Sequence, residues 1–330
     1  MMNQLHGLEQ SLPASPLHWK RFRAHFAIVI LLLLLPVFVK SIYVIDLLIV
    51  CNVWAVFLSS WDLLTGYTGQ ISFGHSLFIG GGAYTAGFLS FYLHVPFWIT
   101  IPLGGCVAAI LGFGLGLPAL RLKGPYLALA TFAASAVLHG LSAVFWLYSG
   151  GEDGLYGVGP LTRNYFVKYY WSVALMVVCS GFLLFLVNSQ YGLILKSIRE
   201  DESGAEASGI NVTKYKLLTF IMSGFLAGVA GAFYGHAQMH VGTDLLSLNL
   251  SIMVVLMSVA GGMGTIIGPI VAGYLLILLN EWLRVIEVVR VLIYSFSVVL
   301  ILLFIPRGIV PTIISIAETL INKIKSPSRS

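Results

Sequence analysis

The chain has 330 residues, of which 58% are hydrophobic and 9% are charged, and its formal net charge is +5. Soluble domains carry roughly 25% charged residues, so this composition excludes a water-soluble globular protein and indicates a membrane protein. The excess of cations lies in the segments between apolar stretches, where cations anchor loops to lipid, and no nucleic-acid partner is needed to explain it.

Long gaps without Asp, Glu, Lys or Arg define the predicted elements. Such gaps lie between residues 62 and 121, 123 and 152, 168 and 196, 216 and 244, and 244 and 281. Each gap holds at least one run of about 20 apolar residues, the length at which a helix crosses a hydrocarbon core of roughly 30 Å. The sequence therefore predicts an all-α polytopic membrane protein with about ten transmembrane or re-entrant helices, near 24–40, 43–62, 71–93, 96–118, 125–147, 169–189, 215–237, 248–262, 266–283 and 289–305.

The distribution of Lys and Arg predicts how these helices are oriented, because cations concentrate on the cytoplasmic side. Lys20, Arg21 and Arg23 place the N-terminus in the cytoplasm, and an even number of spans returns the C-terminus there. The predicted plan is a cytoplasmic N-terminal segment at 1–23, a transmembrane domain at 24–306 and a cytoplasmic tail at 307–330. Within the transmembrane domain, the loop 148–168 is predicted to be external and the loop 191–214 to be cytoplasmic.

The third predicted span begins with the Gly-rich stretch GYTGQISFGHSLFIGGGAYTAG at 66–87, in which seven of 22 residues are Gly. Gly weakens a helix interior by about 1 kcal/mol, and polar side chains in a membrane need partners. Two interpretations stay open, a broken helix that lines a substrate path and close helix packing through small residues. The residues predicted for the path are Gln70, Ser72, His75, Ser76 and Tyr84. A second set, which indicates packing, is Gly224, Gly228, Gly231 and Gly235.

Searches for catalytic and metal-binding signatures fail. The chain contains no Gly-Lys dipeptide and therefore no phosphate-binding loop of the common ATPase type. His236 and His240 have only Asp244 as a nearby third ligand, so two histidines at a helix end are a better interpretation than a metal site. We expect no catalytic residue, no metal and no cofactor in this chain. Asp46 and Asp62 are the acids that we expect within a span, and both lie near its ends, which argues against an ion-coupled secondary transporter.

The segment 191–216 is the most charged part of the chain, with 8 of its 31 charged residues, four of each sign. A loop that only bound anionic lipid would be basic, and this one is balanced. Ser203 followed by Glu206 matches a capping box, residues 204–208 can form a short helix, and Gly209 is placed to end it. Such a helix on the cytoplasmic face suits docking into another protein; a solvated connector is the alternative.

Six segments stand in one order along the chain: GYTGQISFGHSLFIGGGAYTAG at 66–87, RLKGPYLALATF at 121–132, SGGEDGLYGV at 149–158, REDESGAEASGINVTKYKLLTFIMSGFLAGVAG at 199–231, GGMGTIIGPIVAG at 261–273 and IPRGI at 305–309. Together they resemble the permeases of the branched-chain amino acid ABC transporter family, the Liv type, and they cover the chain from about residue 50 to 310. Each motif alone is weak, and their combination in this order is specific.

The resemblance implies a Type-II-importer-like permease bundle and an M-type subunit of an importer of branched-chain or other neutral amino acids in a bacterial inner membrane. It implies membrane lipid, a second homologous permease, two ABC ATPase subunits and a periplasmic or extracellular substrate-binding protein as partners. It also implies a coupling helix at about 202–209 that sits in the ATPase. The residues implied for this coupling are Arg199, Glu200, Asp201, Glu202, Glu206 and Gly209.

Three alternatives remain at this point. A urea or short-chain amide importer has similar permeases, and the sequence does not distinguish its substrate from an amino acid. An ion-coupled secondary transporter belongs to another class and is disfavoured by the lack of acids inside the spans. A structural membrane scaffold would account for the packing glycines but not for the short capped helix.

Overall fold

The computed structural model describes residues 29–36, 38–120, 122 and 124–286, together with parts of the stretch 293–316. Predictions that fall wholly or largely outside the described residues are those for 1–23, 289–305 and 307–330.

The described part of the chain is all-α apart from one pair of two-residue strands. The helices, numbered in chain order, are α1 (Ile42–Trp61), α2 (His75–Leu93), α3 (Phe97–Ala119), α4 (Pro125–Val144), α5 (Trp146–Ser149), α6 (Tyr165–Val187), α7 (Gln190–Glu200), α8 (Glu202–Ala207), α9 (Val212–Gln238), α10 (Leu248–Gly261) and α11 (Ile267–Trp282). The strands are β1 (Leu155–Tyr156) and β2 (His240–Val241), and short 3-10 helices cover Gly151–Asp153, Thr243–Leu246 and Leu283–Val285.

Five of the described helices are long and apolar enough to cross a membrane: α1 with its extension to Gly66, α3, α4, α6 and α9. Helix α2 has 19 residues, but its glycines and polar side chains lower its hydropathy. Helices α10 and α11 have 14 and 16 residues, too few to cross a 30 Å core individually without tilt or thinning. The all-α membrane class is therefore confirmed, and the count of about ten spans is not.

Helix α9 packs against α2 and α3 at the centre of the described bundle. A Cβ atom placed on Gly228 would collide with the Ala108 side chain and lie 2.9 Å from the Gly104 carbonyl oxygen. A Cβ atom on Gly231 would collide with the Ile79 carbonyl. Helix backbones can approach this closely only where side chains are small, so the predicted packing role of the α9 glycines is confirmed.

The Gly-rich stretch begins at a break in the helical chain. Helix α1 continues as a π-helix over Asp62–Gly66, residues 69–74 are not helical, and α2 starts at His75 rather than at the predicted residue 71. At the end of the break, a Cβ atom on Gly74 would collide with the Thr131 carbonyl on α4. The stretch is therefore a broken helix that also makes a close helix contact, and whether it lines a substrate path stays a prediction.

The connecting segments gather at two opposite ends of α9. At one end β1 pairs antiparallel with β2, with Leu155 opposite Val241. At the other end Arg199 approaches both Gly66 and Gly264. With 27 residues at 1.5 Å each, α9 separates the two ends by about 40 Å, more than the thickness of a hydrocarbon core.

Candidate functional site

A mostly apolar cavity of about 460 Å³ lies between α2, α3 and α4, and we name it the Tyr84 cavity. Leu111, Leu138 and Leu246 contribute to its apolar wall, and Ser142 is among its polar residues. The Tyr84 side chain is 7% exposed, and its hydroxyl has no hydrogen-bond partner among the described residues. An apolar cavity with a few polar residues in its wall can hold a small ligand with an aliphatic part.

A second cavity of about 480 Å³, the Gln70 cavity, lies beside the charged segment. Its wall is formed by the break before α2, the connection between α3 and α4, and three charged side chains, Arg199, Glu202 and Lys216. The Gln70 side chain is 6% exposed, and its Oε1 atom has no partner among the described residues. This cavity is more polar than the Tyr84 cavity, although part of its wall is apolar as well.

Helix α4 lines both cavities, and hydrogen bonds to α4 lie at a level between them. Ala128 lines the Gln70 cavity, and Leu138, ten residues and about 15 Å further along α4, lines the Tyr84 cavity. Between these positions the Phe73 N–H donates to Thr131 Oγ1 at 3.1 Å, and Ser135 Oγ lies 2.5 Å from Ser76 Oγ. These two contacts lie between the levels of the two cavities along α4, and we name them the polar layer.

Ser76, Ser135 and Ser251 form a serine cluster that joins α2, α4 and α10. The Ser76 N–H donates to Ser251 Oγ at 2.9 Å, and the Ser251 hydroxyl donates to Ser76 Oγ at the same distance. The Ser135 hydroxyl also reaches the carbonyl oxygen of Leu246 at 3.4 Å. All three serines are fully buried, so the cluster satisfies its polar atoms internally.

His75 and Ser72 lie in helix packing and line neither cavity. His75 is fully buried, and its Nε2 atom lies 2.8 Å from Ser60 Oγ on α1. Because the Ser60 hydroxyl donates to the Phe57 carbonyl, His75 Nε2 acts as the donor to Ser60. The carbonyl of Ser72 accepts from Trp61 Nε1 at 2.8 Å. Of the five residues predicted for the path, only Gln70 and Tyr84 line cavities, and the path itself stays a prediction.

The predicted short helix is present as α8, but it begins differently from the prediction. Its N-cap residue is Asp201, and no side chain caps it, so the Ser203 capping box is wrong. The physical reason is that only Asp201 separates α7 from α8, so the chain turns at that residue and Ser203 already lies inside the helix. The predicted C-terminal role of Gly209 is confirmed: its φ is +84°, and its N–H donates to the Glu206 carbonyl at 2.9 Å.

The acidic residues predicted for coupling are all exposed. Glu200, Asp201 and Glu206 form no ion pair with the residues that the structure describes, and Glu202, whose side chain is 44% exposed, forms an ion pair with Lys216 at 2.7 Å. Helix α8 is held by Ala205, which is buried against Ile198 and Val212. The anchored helix thus leaves the outward carboxylates free to contact another protein, and the prediction that they do so stays a prediction.

Arg199 connects this segment to the membrane helices. Its Nη1 atom donates to the Gly66 carbonyl at 2.5 Å, and a Cβ atom on Gly264 would lie 2.9 Å from the same nitrogen. Asp62, fully buried on the π-helix, accepts from the N–H groups of Gly264 at 2.6 Å and Ile266 at 2.9 Å. The sequence analysis missed this connection, although an acid near the end of an apolar span was a usable signal.

His236 and His240 are used in packing at the other end of α9. His236 is buried, with Nε2 2.6 Å from Thr100 Oγ1 and Nδ1 2.6 Å from the Gly159 carbonyl oxygen. His240 stacks on Tyr156 with ring centroids 4.2 Å apart. Within the described residues, no group of three or more His, Cys, Asp or Glu side chains could hold a metal ion.

Comparisons with known proteins assign most of the chain to one family. The family model of the branched-chain amino acid transport system permease component matches residues 43–305. The high-affinity branched-chain amino acid transport system permease protein LivM of Salmonella typhimurium is 30% identical over 279 residues, and that of Escherichia coli is 29% identical over the same length. Each alignment covers 76% of this chain and 66% of the relative, so the chain spans just under two thirds of their length.

One solved structure, described as a metal-chelate type ABC transporter in an inward-facing conformation, is loosely similar. The TM-score is 0.45 at 14% identity, and the match covers 82% of this chain and 100% of that one. A similarity this weak supports no conclusion about the function of the chain.

Proposed function

The chain belongs to the family of branched-chain amino acid transport permeases, and from this premise we propose that it is the membrane permease subunit of an ATP-binding cassette importer for branched-chain or other neutral amino acids. The observation that carries the proposal is the family match over residues 43–305. In the proposed assembly the chain works with a second homologous permease, two ABC ATPase subunits and a periplasmic or extracellular substrate-binding protein. It lies in a bacterial inner membrane with both termini in the cytoplasm.

The two cavities support a path for an amino acid with an aliphatic side chain. The leucine-lined Tyr84 cavity offers the side chain an apolar wall, and Thr85 and Ser142 are among the few polar residues that line it. A conduit should bind its cargo weakly, because firm binding slows release. We place the closed state of the path at the polar layer of Thr131 and Ser135, which must part before a substrate can reach the Gln70 cavity.

The connection through Arg199 supports a route for coupling. In this proposal the ATPases contact the exposed carboxylates of α8, and ATP-driven closure moves α8 together with α7. Arg199 holds the Gly66 carbonyl, and Asp62 holds the turn before α11. A movement of α7 would therefore reach the π-helix and the break that borders the Gln70 cavity. Rigid elements that shift about such contacts are an established means of switching.

Uptake by proteoliposomes tests the proposal. The chain is reconstituted with its second permease and ATPases, and [14C]L-leucine is supplied with the binding protein. We expect accumulation that requires ATP and stops when the ATPases carry an inactivating change. Uptake driven by a proton gradient without ATP would identify a secondary transporter. Accumulation of [14C]urea without leucine would identify the amide importer.

A further inference from the structure

Three polar side chains meet where α1 begins and α11 ends, and we name Tyr43, Glu281 and Arg284 the Arg284 group. The Tyr43 hydroxyl donates to the Glu281 carboxylate, and Arg284 Nη1 donates to the same carboxylate at 3.1 Å and to the Tyr43 hydroxyl oxygen at 3.4 Å. Helix α1 leads from this group to the π-helix beside Arg199, so the group lies at the end of the bundle opposite α8. It lines neither the Tyr84 cavity nor the Gln70 cavity, so the proposed path leaves it without a role.

Two grooves meet at the Arg284 group. One, of about 280 Å³, lies between α1, α10 and α11, and the other, of about 540 Å³, lies between α1 and α11; both are lined by Tyr43, Leu47, Glu281 and Arg284. The first groove extends along α1 to Trp54, eleven residues or about 16 Å from Tyr43, which is close to half the thickness of a hydrocarbon core of roughly 30 Å. Its deeper wall is formed by apolar side chains: Val50, Trp54, Met253, Met257 and Ile277. One polar group that joins two apolar grooves matches a lipid with one headgroup and two acyl chains.

The surface around the Arg284 group has the composition of a membrane interface. Trp282 and Tyr43 are exposed there, and Trp and Tyr concentrate at the level of lipid headgroups. Leu275 and Leu278, nearer the middle of α11, are exposed as well, as expected of side chains that face acyl chains. The Arg284 side chain is 62% exposed, and a cation at this level can reach the phosphates of lipids.

The charges along the first groove favour one kind of headgroup. A guanidinium carries five N–H donors, and the bonds of Arg284 to the described residues use only Nη1, so a phosphate can accept from the others. Asp46, one turn after Tyr43 on α1, lines the same groove and forms no hydrogen bond or ion pair with the part of the chain that the structure describes. With Asp46 and Glu281 against Arg284, the described wall carries one net negative charge, which favours an ammonium group. A phosphate beside a primary ammonium group is the headgroup of an ethanolamine phospholipid.

We infer that the Arg284 group and its two grooves bind one diacyl phospholipid with a primary ammonium headgroup, at the end of the bundle opposite α8. The phosphate accepts from Arg284, the ammonium group donates to Asp46 or Glu281, and one acyl chain lies in each groove. The bound lipid ties α1 to α10 and α11, because the grooves lie between these helices. The site also accounts for an arginine at the end of the bundle that is predicted to be external, where cations are uncommon.

Stability in the presence of defined lipids tests the inference on the full chain. The chain is freed of lipid in a nonionic detergent, and its thermal midpoint is measured with added palmitoyl-oleoyl phosphatidylethanolamine, phosphatidylcholine or phosphatidylglycerol. We expect the ethanolamine lipid to raise the midpoint by about 5 °C, because a ligand that binds only the folded state stabilises it. Phosphatidylcholine has no N–H donor and phosphatidylglycerol has no ammonium group, so each should raise the midpoint by less than half as much. Equal effects of the three lipids would overturn the inference.

Variants distinguish this site from a general need for lipid. Arg284→Gln removes the partner of the phosphate and Asp46→Asn a partner of the ammonium group, and without lipid both should melt within about 1 °C of wild type, because exposed ion pairs contribute little. With phosphatidylethanolamine each variant should lose at least half of the rise. Arg163→Gln, the same change on an exposed arginine of the loop 148–168, is the matched control and should keep the full rise.

Native mass spectrometry gives a second readout. The wild-type chain should retain one phosphatidylethanolamine molecule, and Arg284→Gln should retain at least fivefold less. A wild-type chain that retains none, or a full rise of the midpoint in Arg284→Gln, would overturn the inference. Neither measurement requires the ATPases or uptake, so its failure would leave the proposed function standing.

Discussion

Asp62 shows at the scale of one residue how a buried charge can serve architecture. Its two carboxylate oxygens accept from the N–H groups of Gly264 and Ile266, in the turn that precedes α11. Ile266 has φ +60°, a left-handed conformation that is rare for a β-branched residue and needs support from its surroundings. The carboxylate supplies that support, which also explains why an acid is tolerated at the end of an apolar span.

Asp62→Asn should destabilise the protein, because one anionic oxygen is replaced by an NH2 group facing a backbone N–H. Hydrogen bonds to charged groups contribute roughly 1.5–3 kcal/mol, so we expect a loss of about 2 kcal/mol and a lower thermal midpoint in detergent. Asp46→Asn, the same change at a half-buried position of α1, should cost less than about 0.5 kcal/mol. Equal losses in the two variants would show that the turn does not depend on Asp62.

The variant Tyr84→Phe distinguishes a role of the Tyr84 hydroxyl in substrate passage from a role in helix packing. The Tyr84 hydroxyl is buried without a described partner, so removing it should leave the thermal midpoint unchanged or raise it. If the hydroxyl contacts passing substrate, the initial rate of leucine uptake should fall several-fold. Ser76→Ala removes a hydroxyl from the serine cluster and should instead lower stability by about 1 kcal/mol. A clear loss of stability in Tyr84→Phe would mean that its hydroxyl is paired in the protein.

Helix packing in this bundle depends on glycines at specific positions. Gly228→Ala adds a methyl group against Ala108 and the Gly104 carbonyl, and overpacking of this kind costs roughly 1–3 kcal/mol. Gly114→Ala is the matched control on α3, because nothing lies within 4 Å of its added Cβ atom, and it should gain about 0.5–1 kcal/mol from helix propensity. Thermal midpoints of both variants in one detergent measure the contrast. A neutral Gly228→Ala would contradict the close contact of α9 with α3.

Helix α8 is the element on which the ATPases should dock. Glu206 is exposed and has no ion-pair partner among the described residues, so Glu206→Lys changes the outward charge without breaking the Glu202–Lys216 pair. We expect normal membrane expression, at least tenfold less ATPase in co-purification, and loss of uptake. Glu152→Lys, the same reversal on an exposed residue at the other end of the bundle, should retain the ATPases. Normal ATPase recovery with Glu206→Lys would remove the docking assignment.

At the scale of the whole molecule, the contacts sort the loops into two faces. The β1–β2 pairing brings the loop 148–168 beside the segment that follows α9. Arg199 brings α7 beside the π-helix and the turn before α11. Since α9 is about 40 Å long, it is long enough to cross a membrane, and we predict that the two groups of loops lie on opposite sides of it.

Reporter fusions test the orientation of these faces. Fusions after Gly154 or Asp244 should be active as periplasmic alkaline phosphatase and dark as cytoplasmic fluorescent protein. Fusions after Ser208 or Lys323 should show the reverse, because the positive-inside rule places the charged segment and the tail in the cytoplasm. An external reporter after Ser208 would invert the proposed topology and remove the coupling assignment with it.

The sequence by itself determined the class of the protein, the approximate position of the long helices and a short helix within about 202–209, which the structure has at Glu202–Ala207. These follow from local signals: an uncharged run of about 20 residues must be helical in lipid, and a left-handed Gly209 ends a helix whatever surrounds it. The packing role of the α9 glycines was also predictable, because small residues at one helix face have few other uses in a membrane. Family membership was readable from six motifs in order.

Only the tertiary structure decided what the polar residues do. Gln70, His75, Ser76 and Tyr84 are all polar residues of one Gly-rich stretch. In the structure His75 and Ser76 are hydrogen-bonded within the helix packing, whereas Gln70 and Tyr84 line two different cavities. The partners that make the difference, such as Ser60 and Ser251, come from other helices. The bond from Asp62 to Gly264 spans 202 positions of the chain, and no local pattern encodes it. In a membrane, polar side chains find their hydrogen-bond partners on neighbouring helices, so these partners are known only once the arrangement of the helices is known.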